Sequence, residues 1–217
     1  GDSEAMLSWY DMNASGTDDF SYDDGSFSQN DGIIVSGGSA WAGERFDVFG
    51  TSTVNSVEIY NINGDTTITV GAFAQLGTLF NSEPLYSTDI SLTSGWNSVS
   101  GLGWEMNNSF IIAHEFNGTF SVANDASGSS NNSVVMLNAG WDDWTDIASA
   151  NALIEGEWGV RANLTYAGAG VTYNLYRDGA MAASGITSNM HTDSGLTNNV
   201  TYEYTLSATY SDGEASD

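Results

Sequence analysis

Residues 56–73 read SVEIYNINGDTTITVGAF, and the fold follows from how that stretch divides. On either side of Asn63-Gly64, apolar and polar residues alternate with a period of two, the spacing that places successive side chains on opposite faces of a strand. Asn-Gly suits the positive φ values of a tight turn, so a β-hairpin is expected here. The same period recurs along the chain, and helical periodicity is nearly absent. Further strands are expected at 33–35, 44–48, 89–92, 110–116, 119–122, 134–137 and 158–164, separated by Gly, Asn, Asp and Ser clusters at the spacing of a sandwich. In the last of these, Trp158, Val160, Ala162 and Leu164 share one face, with Arg161 and Asn163 on the other. A single short helical turn is expected within residues 143–153 (DWTDIASANAL), capped by Asp143 or Thr145.

The pattern breaks at residues 167–170 (AGAG) and resumes at 171–178 (VTYNLYRD) and 201–208 (TYEYTLSA). Val171, Tyr173 and Leu175 are expected to face inward, as are Tyr202, Tyr204, Leu206 and Ala208. This divides the chain into an N-terminal extension, 1–18, that is a candidate donor strand, a β-sandwich over 19–166, and a smaller unit over 167–217. The expected class is all-β.

The chain has 217 residues, 28 Asp plus Glu against three Lys plus Arg, and a formal net charge of −25. So few cations leave almost nothing to neutralise phosphate, which argues against nucleic acid and anionic membrane surfaces as partners. With 41% hydrophobic and 12% aromatic residues the chain is too apolar for a disordered acidic tail. The longest apolar run, residues 110–113 (FIIA), is far short of a membrane span. With no Cys there is no disulfide framework and no thiolate metal site. The absence of Lys, the scarcity of Arg and the abundance of Ser, Thr, Asn and Gly resemble secreted proteins, so an extracellular or cell-surface location is expected. The first residues have no signal-peptide pattern and no initiating Met, and the sequence reads as processed or excised. N-x-S/T triplets occur at about the frequency that this composition supplies by chance, which leaves glycosylation open.

Two stretches resemble known families. Residues 173–179 (YNLYRDG) and 192–214 (TDSGLTNNVTYEYTLSATYSDGE) resemble a fibronectin type III module of secreted bacterial proteins. The resemblance implies that Leu196 and Tyr202 form that fold's tyrosine corner, in which the phenol hydroxyl bonds to nearby backbone. It covers only the middle of such a domain: the first two strands have no counterpart and the chain ends before the last. Residues 20–26 (FSYDDGS), 43–48 (GERFDV), 56–62 (SVEIYNI), 95–100 (GWNSVS) and 156–164 (GEWGVRANL) resemble the jelly-roll accessory domain of secreted bacterial peptidases and surface proteins. That implies a noncatalytic module, with no catalytic residue to carry over. The expected architecture is a jelly-roll-like β-sandwich followed by a smaller, incomplete fibronectin type III or immunoglobulin-like β-sandwich.

The chemistry-bearing residues are few. His114 lies in an alternating strand and His191 in the other proposed domain, so neither reads first as a catalytic base. There is no nucleophile elbow, no thiol, no Lys for a Schiff base and no H-E-x-x-H pattern. Glycoside hydrolysis would need two converging carboxylates, for which Glu105 with Glu115, or Glu58 with either, are the candidates. Calcium is the cofactor that the acidic loops would take: Asp18, Asp19, Asp23 and Asp24; Asn61, Asn63 and Asp65; and Asp142, Asp143 and Asp146. The same residues are common turn formers and need no metal to explain them. Seven Trp suggest a sugar platform, with Trp141 and Trp144 around Asp142 and Asp143, or Trp41 or Trp96 on a loop.

An immunoglobulin-like unit without its first and last strands exposes unpaired backbone at its margins, which another strand must satisfy. Residues 5–12 (AMLSWYDM) are the candidate donor, supplied between copies by β-augmentation. The leading expectation is a noncatalytic extracellular structural protein, a homo-oligomer, filament or surface-layer subunit built by strand complementation. The alternative is a carbohydrate-binding or accessory module of a larger secreted enzyme such as a peptidase, with a polysaccharide as partner.

Overall fold

The computed structural model describes residues 3–27, 40–116, 123–125, 132–137, 140–151 and 156–210, and it is all-β with one short helix. In chain order the elements are β1 (Ser3–Ser8), β2 (Gly16–Phe20), β3 (Ala40–Phe46), β4 (Thr51–Asn61), β5 (Thr66–Leu76), β6 (Leu79–Phe80), β7 (Tyr86–Leu92), β8 (Gly95–Asn107) and β9 (Phe110–Phe116). They continue as β10 (Asn124–Asp125), β11 (Ser133–Met136), β12 (Trp141–Asp143), α1 (Trp144–Asn151), β13 (Glu157–Trp158), β14 (Val160–Tyr166), β15 (Thr172–Arg177), β16 (Ala180–Ile186), β17 (Met190–Leu196) and β18 (Tyr204–Thr209). The strands expected at 33–35 and 119–122 lie outside the described residues. Two compact units result, one of Thr17–Tyr166 and one of Gly1–Gly16 together with Ala167–Asp217.

The larger unit is a sandwich. One sheet runs β12-β11-β3-β9-β5, with β6 and β7 both paired to β5, and the other runs β2-β14-β4-β8. Their inner faces supply the core: Val57 and Ile59 of β4, Ile68 and Val70 of β5, Phe110 and Ile112 of β9, and Trp158, Val160 and Leu164. Alternation along each strand therefore does what the sequence pattern implies, sending one set of side chains inward and its complement outward.

The expected hairpin at 56–73 is corrected. β4 belongs to the four-stranded sheet and β5 to the seven-stranded one, so the Asn63-Gly64 turn carries the chain from one sheet to the other. Gly64 does not take the positive φ that a two-residue hairpin turn needs. The corner is built by Asn61, which is 1% exposed. Its Nδ2 donates to the carbonyls of Gly64 (3.2 Å) and Thr93 (3.1 Å), and its Oδ1 accepts from the Asn63 amide (2.9 Å). A period of two reports that a segment is half-buried but not which sheet it joins. The short helix is present, and its start is set by Asp143, whose Oδ1 accepts from the Thr145 amide (2.9 Å) as an N-cap.

The smaller unit holds a β16-β15-β18 sheet and a two-stranded β1-β17 ladder. Val171, Tyr173 and Leu175 are buried, as expected from their alternation, and so are Leu196 and Ala208. The other expected inward face is only partly closed, since Leu206 is 38% exposed. Tyr202 lies before β18 and its hydroxyl accepts from the Thr197 amide (3.0 Å), the contact of a tyrosine corner.

The N-terminal segment does not stand out as an arm for a neighbouring copy. It is placed on its own chain, with Ala5 opposite Asp193, Met6 opposite Thr192, Leu7 opposite His191 and Ser8 opposite Met190. Trp9 meets Tyr173 edge-on at 5.3 Å, and the Met12 amide donates to the Tyr173 hydroxyl (2.9 Å). Asn13 then clasps Val171, donating from Nδ2 to its carbonyl (2.8 Å) and accepting its amide on Oδ1 (2.8 Å). The segment expected as a donor strand thus pairs with β17 of its own chain.

Among the buried ionisable side chains of the larger unit, Glu44 and His114 contribute to its pH dependence. Glu44 accepts from the Ser133 hydroxyl (2.6 Å) and the Trp158 amide (2.7 Å) on one oxygen. Burial nonetheless pushes its carboxyl well above the usual carboxylate range, with Glu157 and Asp23 adding to the rise. Burial pushes His114 down to about 4. Glu44 therefore contributes stability that is complete below the ordinary carboxylate value and is lost as pH rises through its raised one. His114 acts oppositely: the unfolded chain takes up its proton first, so stability is lost as pH falls from about 6.5 toward about 4, by roughly 3 kcal/mol. Glu44→Gln is expected to flatten the alkaline limb of melting temperature against pH, and His114→Leu the acid limb. Calorimetry of both variants across that range checks this, and unchanged slopes would assign the pH dependence to other groups.

Candidate functional site

The outer face of the seven-stranded sheet is half apolar and half polar. Phe73, Ile111, Ala113, Val134 and Met136 form a second, smaller core there, with Trp41, Phe80 and Trp141 packed against it. Beyond its edge the same face turns polar, because the outward positions of β5 and β7 are Thr67, Thr69, Asp89 and Ser91 rather than apolar residues. Register aligns four of these side chains across four strands. Trp41 is directly opposite Glu115, and Thr69 is opposite Asp89. The Val70–His114 pair puts Thr69 beside Glu115 at the next position. The row Trp41–Glu115–Thr69–Asp89 therefore crosses β3, β9, β5 and β7, with about 4.8 Å between neighbouring strands.

Its polar end opens into a cleft of about 440 Å³ lined by Asn63, Asp65, Thr67, Thr69, Asp89 and Glu115, among others. The Thr69 hydroxyl donates to Asp89 Oδ1 (3.0 Å), and the hydroxyls of Thr67 and Ser91 are 3.4 Å apart. Such a surface suits a hydrated, hydroxyl-rich ligand better than an apolar small molecule, whose pockets are enclosed and mainly hydrophobic. Trp41 is half-buried, edge-on to Phe73 at 5.0 Å, and brings an aromatic ring to the end of the row.

The outer face of the four-stranded sheet also carries aromatics, but they are used by the protein itself. Trp96 pairs with Tyr60, and the Arg161 guanidinium lies 4.0 Å from the Trp96 ring centroid. Arg161 Nε also donates to Asp23 Oδ2 (3.0 Å). Phe27 stacks on Tyr60 at 4.4 Å, in space that Gly159 leaves free: a Cβ there would come within 2.6 Å of Tyr60 and 3.3 Å of Phe27. Trp41 and Trp96, expected on loops, are strand residues.

The residues singled out in the sequence are dispersed. Trp144 is fully buried against Trp158, with ring centroids 4.6 Å apart, so it offers no stacking face. Trp141 is half-buried, donates from Nε1 to the Asn81 carbonyl (2.8 Å) and packs edge-on to Phe73. Asp142 and Asp146 are exposed, and Asp143 caps the helix. Asp18 and Asp19 accept from Tyr166 Oη (2.5 Å) and Asn163 Nδ2 (2.7 Å), and Asp23 is ion-paired with Arg161. Asp24 Oδ1 accepts from the Ser26 amide (2.9 Å), and the Asp24 amide donates to buried Asp125 (2.7 Å). Asn61 and Asn63 build the corner between the sheets, and Asp65 lines the cleft. Among the described residues, no three His, Asp or Glu side chains gather where a metal ion would sit. The carboxylates considered for hydrolysis do not converge either. Glu58 and Glu105 face Ser98 and Thr53 in the β4-β8 ladder, roughly 17 Å apart along the strands. Glu115 is on the other sheet.

Sequence reasoning noted Glu115 only as half of an acid pair and missed Thr69 and Asp89. The signal available was the pair of outward threonines in TTITV, which alternation predicts to be solvent-facing, but their neighbours on β7 and β9 follow from register alone.

No family model matches the chain, and no curated protein matches it. Among solved structures it is similar to the clostridial cysteine protease Cwp84 after propeptide cleavage, with a TM-score of 0.51 and 14% identity over 70% of this chain and 40% of that one. A second structure, of the cysteine protease and lectin-like domains of Cwp84, a surface layer associated protein of Clostridium difficile, gives a TM-score of 0.45 and 14% identity over 59% of this chain and 32% of that one. The chain thus spans well under half the length of the protein it matches, and at this identity the likeness is one of fold.

Proposed function

We propose that the chain is a noncatalytic accessory module of a larger protein at the cell surface, and that it holds a polysaccharide in the cleft on the seven-stranded sheet. The observation that carries this reading is the aligned row Trp41–Glu115–Thr69–Asp89 at an open, polar cleft. Hydroxyl and carboxylate groups at strand spacing offer acceptors and donors to sugar hydroxyls, with the half-buried Trp41 ring at the other end of the row. The fold likeness to part of Cwp84 supports an accessory role, since the matched segment there is 40% of a longer protein. The dispersed glutamates favour binding over hydrolysis.

Assembly into filaments receives less support, because β1, the expected donor strand, pairs with β17 of its own chain. The test is retention on insoluble and soluble polysaccharides. The intact protein is expected to be retained by at least one, and Glu115→Ala combined with Thr69→Ala to lose at least tenfold in affinity with an unchanged melting temperature. Retention that is indifferent to both substitutions would place the ligand elsewhere.

A further inference from the structure

We propose that Asn63 is a site of spontaneous deamidation, where the Gly64 amide displaces the side-chain nitrogen and leaves aspartate or isoaspartate in the corner between the two sheets. Among the described residues, Asn63 is the only asparagine followed by glycine. A Cβ on the following residue crowds the approach of its backbone nitrogen to the asparagine side chain, and glycine has none.

The corner is open to this chemistry without depending on the glycine. Gly64 is exposed, and Asn63, Gly64 and Asp65 all line the cleft, so water reaches the reacting atoms. Gly64 does not take a positive φ, and a Cβ built there meets nothing within 4 Å. The fold therefore accommodates alanine at a position where the reaction does not. Asn61, two residues earlier, is the internal contrast. It is 1% exposed, it is bonded to Gly64, Thr93 and Asn63, and it precedes Ile62, whose branched side chain shields its backbone nitrogen.

The step needs only water. Solvent takes the proton of the Gly64 amide, its nitrogen bonds to Asn63 Cγ, and the Cγ–Nδ2 bond breaks to release ammonia. Water then opens the resulting succinimide on either side. Attack at Cγ restores the ordinary main chain with an aspartate side chain. Attack at the main-chain carbonyl breaks the original Asn63–Gly64 peptide bond, so the chain runs through the former side chain and gains a methylene. Both products lose a donor: Asn63 Nδ2 donates to Asn61 Oδ1 (3.1 Å), whereas a carboxylate only accepts, so two oxygens are left facing each other. Isoaspartate also lengthens the connection from β4 to β5, and either product adds a negative charge to the cleft wall beside Asp65.

The experiment is peptide mapping by mass spectrometry after the full chain is incubated in mildly alkaline water enriched in heavy oxygen, alongside Gly64→Ala and a free peptide of residues 56–73. The folded protein is expected to deamidate at Asn63 and not at Asn61, to take up heavy oxygen there, and to yield isoaspartate as well as aspartate. Gly64→Ala is expected to melt as the fresh protein does and to deamidate about tenfold more slowly or less. Separated by ion exchange, the converted protein is expected to melt below the fresh one. An Asn63 that stays intact while the free peptide converts would overturn the proposal, and that comparison stands whether or not the variant folds. Equal rates with Gly64→Ala, or conversion of Asn61 and Asn63 alike, would overturn it too. Unchanged melting of the converted protein would overturn the weakening of the corner.

Discussion

Deletion of residues 1–13 is expected to unfold the smaller unit while the larger one melts as before. The smaller unit has about 67 residues and no disulfide, a size at which a single core is marginal. Its buried cluster is Val171, Tyr173 and Ala208, and two of the side chains packed around that cluster, Trp9 and Met12, come from the N-terminal segment. The deletion also strips β17 of its partner strand and leaves the Val171 amide and carbonyl without Asn13. The lost Trp9 and Met12 packing and the lost hydrogen bonds, each about 1 kcal/mol, together remove several kcal/mol, comparable with what a unit of this size holds in reserve. Amide spectra should show residues 171–209 collapsed to unfolded dispersion and residues 40–116 unchanged. A peptide of residues 1–13 added in trans should restore the lost signals. Persistence of dispersed signals from 171–209 after deletion would mean that β1 is dispensable.

The second large effect is expected at Trp158. Its ring is fully buried against Trp144, and its Nε1 donates to the Val134 carbonyl (3.1 Å). Its amide and the Ser133 hydroxyl both donate to Glu44 Oε1. Trp158→Ala opens a cavity between the sheets and removes the indole hydrogen bond to the Val134 carbonyl, which costs about 3–5 kcal/mol. That corresponds to a fall in melting temperature of roughly 10 °C for a unit of this size. Trp158→Phe keeps most of the packing and loses the hydrogen bond, so its cost should be about 1–2 kcal/mol. Thermal denaturation of both variants checks the order, and an Ala variant no worse than the Phe variant would show that the ring is not a pillar of the core.

The class of fold was legible because alternation is a local signal. Trp158, Val160, Ala162 and Leu164 read as one inward face and are one. The helix could be read from Asp143, whose side chain has few better uses than a cap there. What alternation does not carry is partnership. β4 and β5 alternate as the two halves of a hairpin would, yet they enter different sheets, and the reason lies in Asn61, whose burial at a corner has no pattern in sequence. The pairing of β1 with β17 joins residues separated by the whole inserted sandwich, so a donor strand at residues 5–12 was legible and its acceptor within the same chain was not. The candidate site is of the same kind. Tryptophans drew attention by their rarity, but Trp144 serves the core and Trp96 is covered by Arg161. Threonines and acids on neighbouring strands form the cleft only once register is known.

The proposed saccharide site is tested most directly by following the backbone amides of the labelled protein during titration with the polysaccharide that retains it best. The account predicts shift changes concentrated at Thr67, Thr69, Asp89, Glu115 and the Trp41 indole, with the four-stranded sheet silent. Changes centred on Trp96, Tyr60 and Arg161 instead, or confined to residues 171–209, would contradict it.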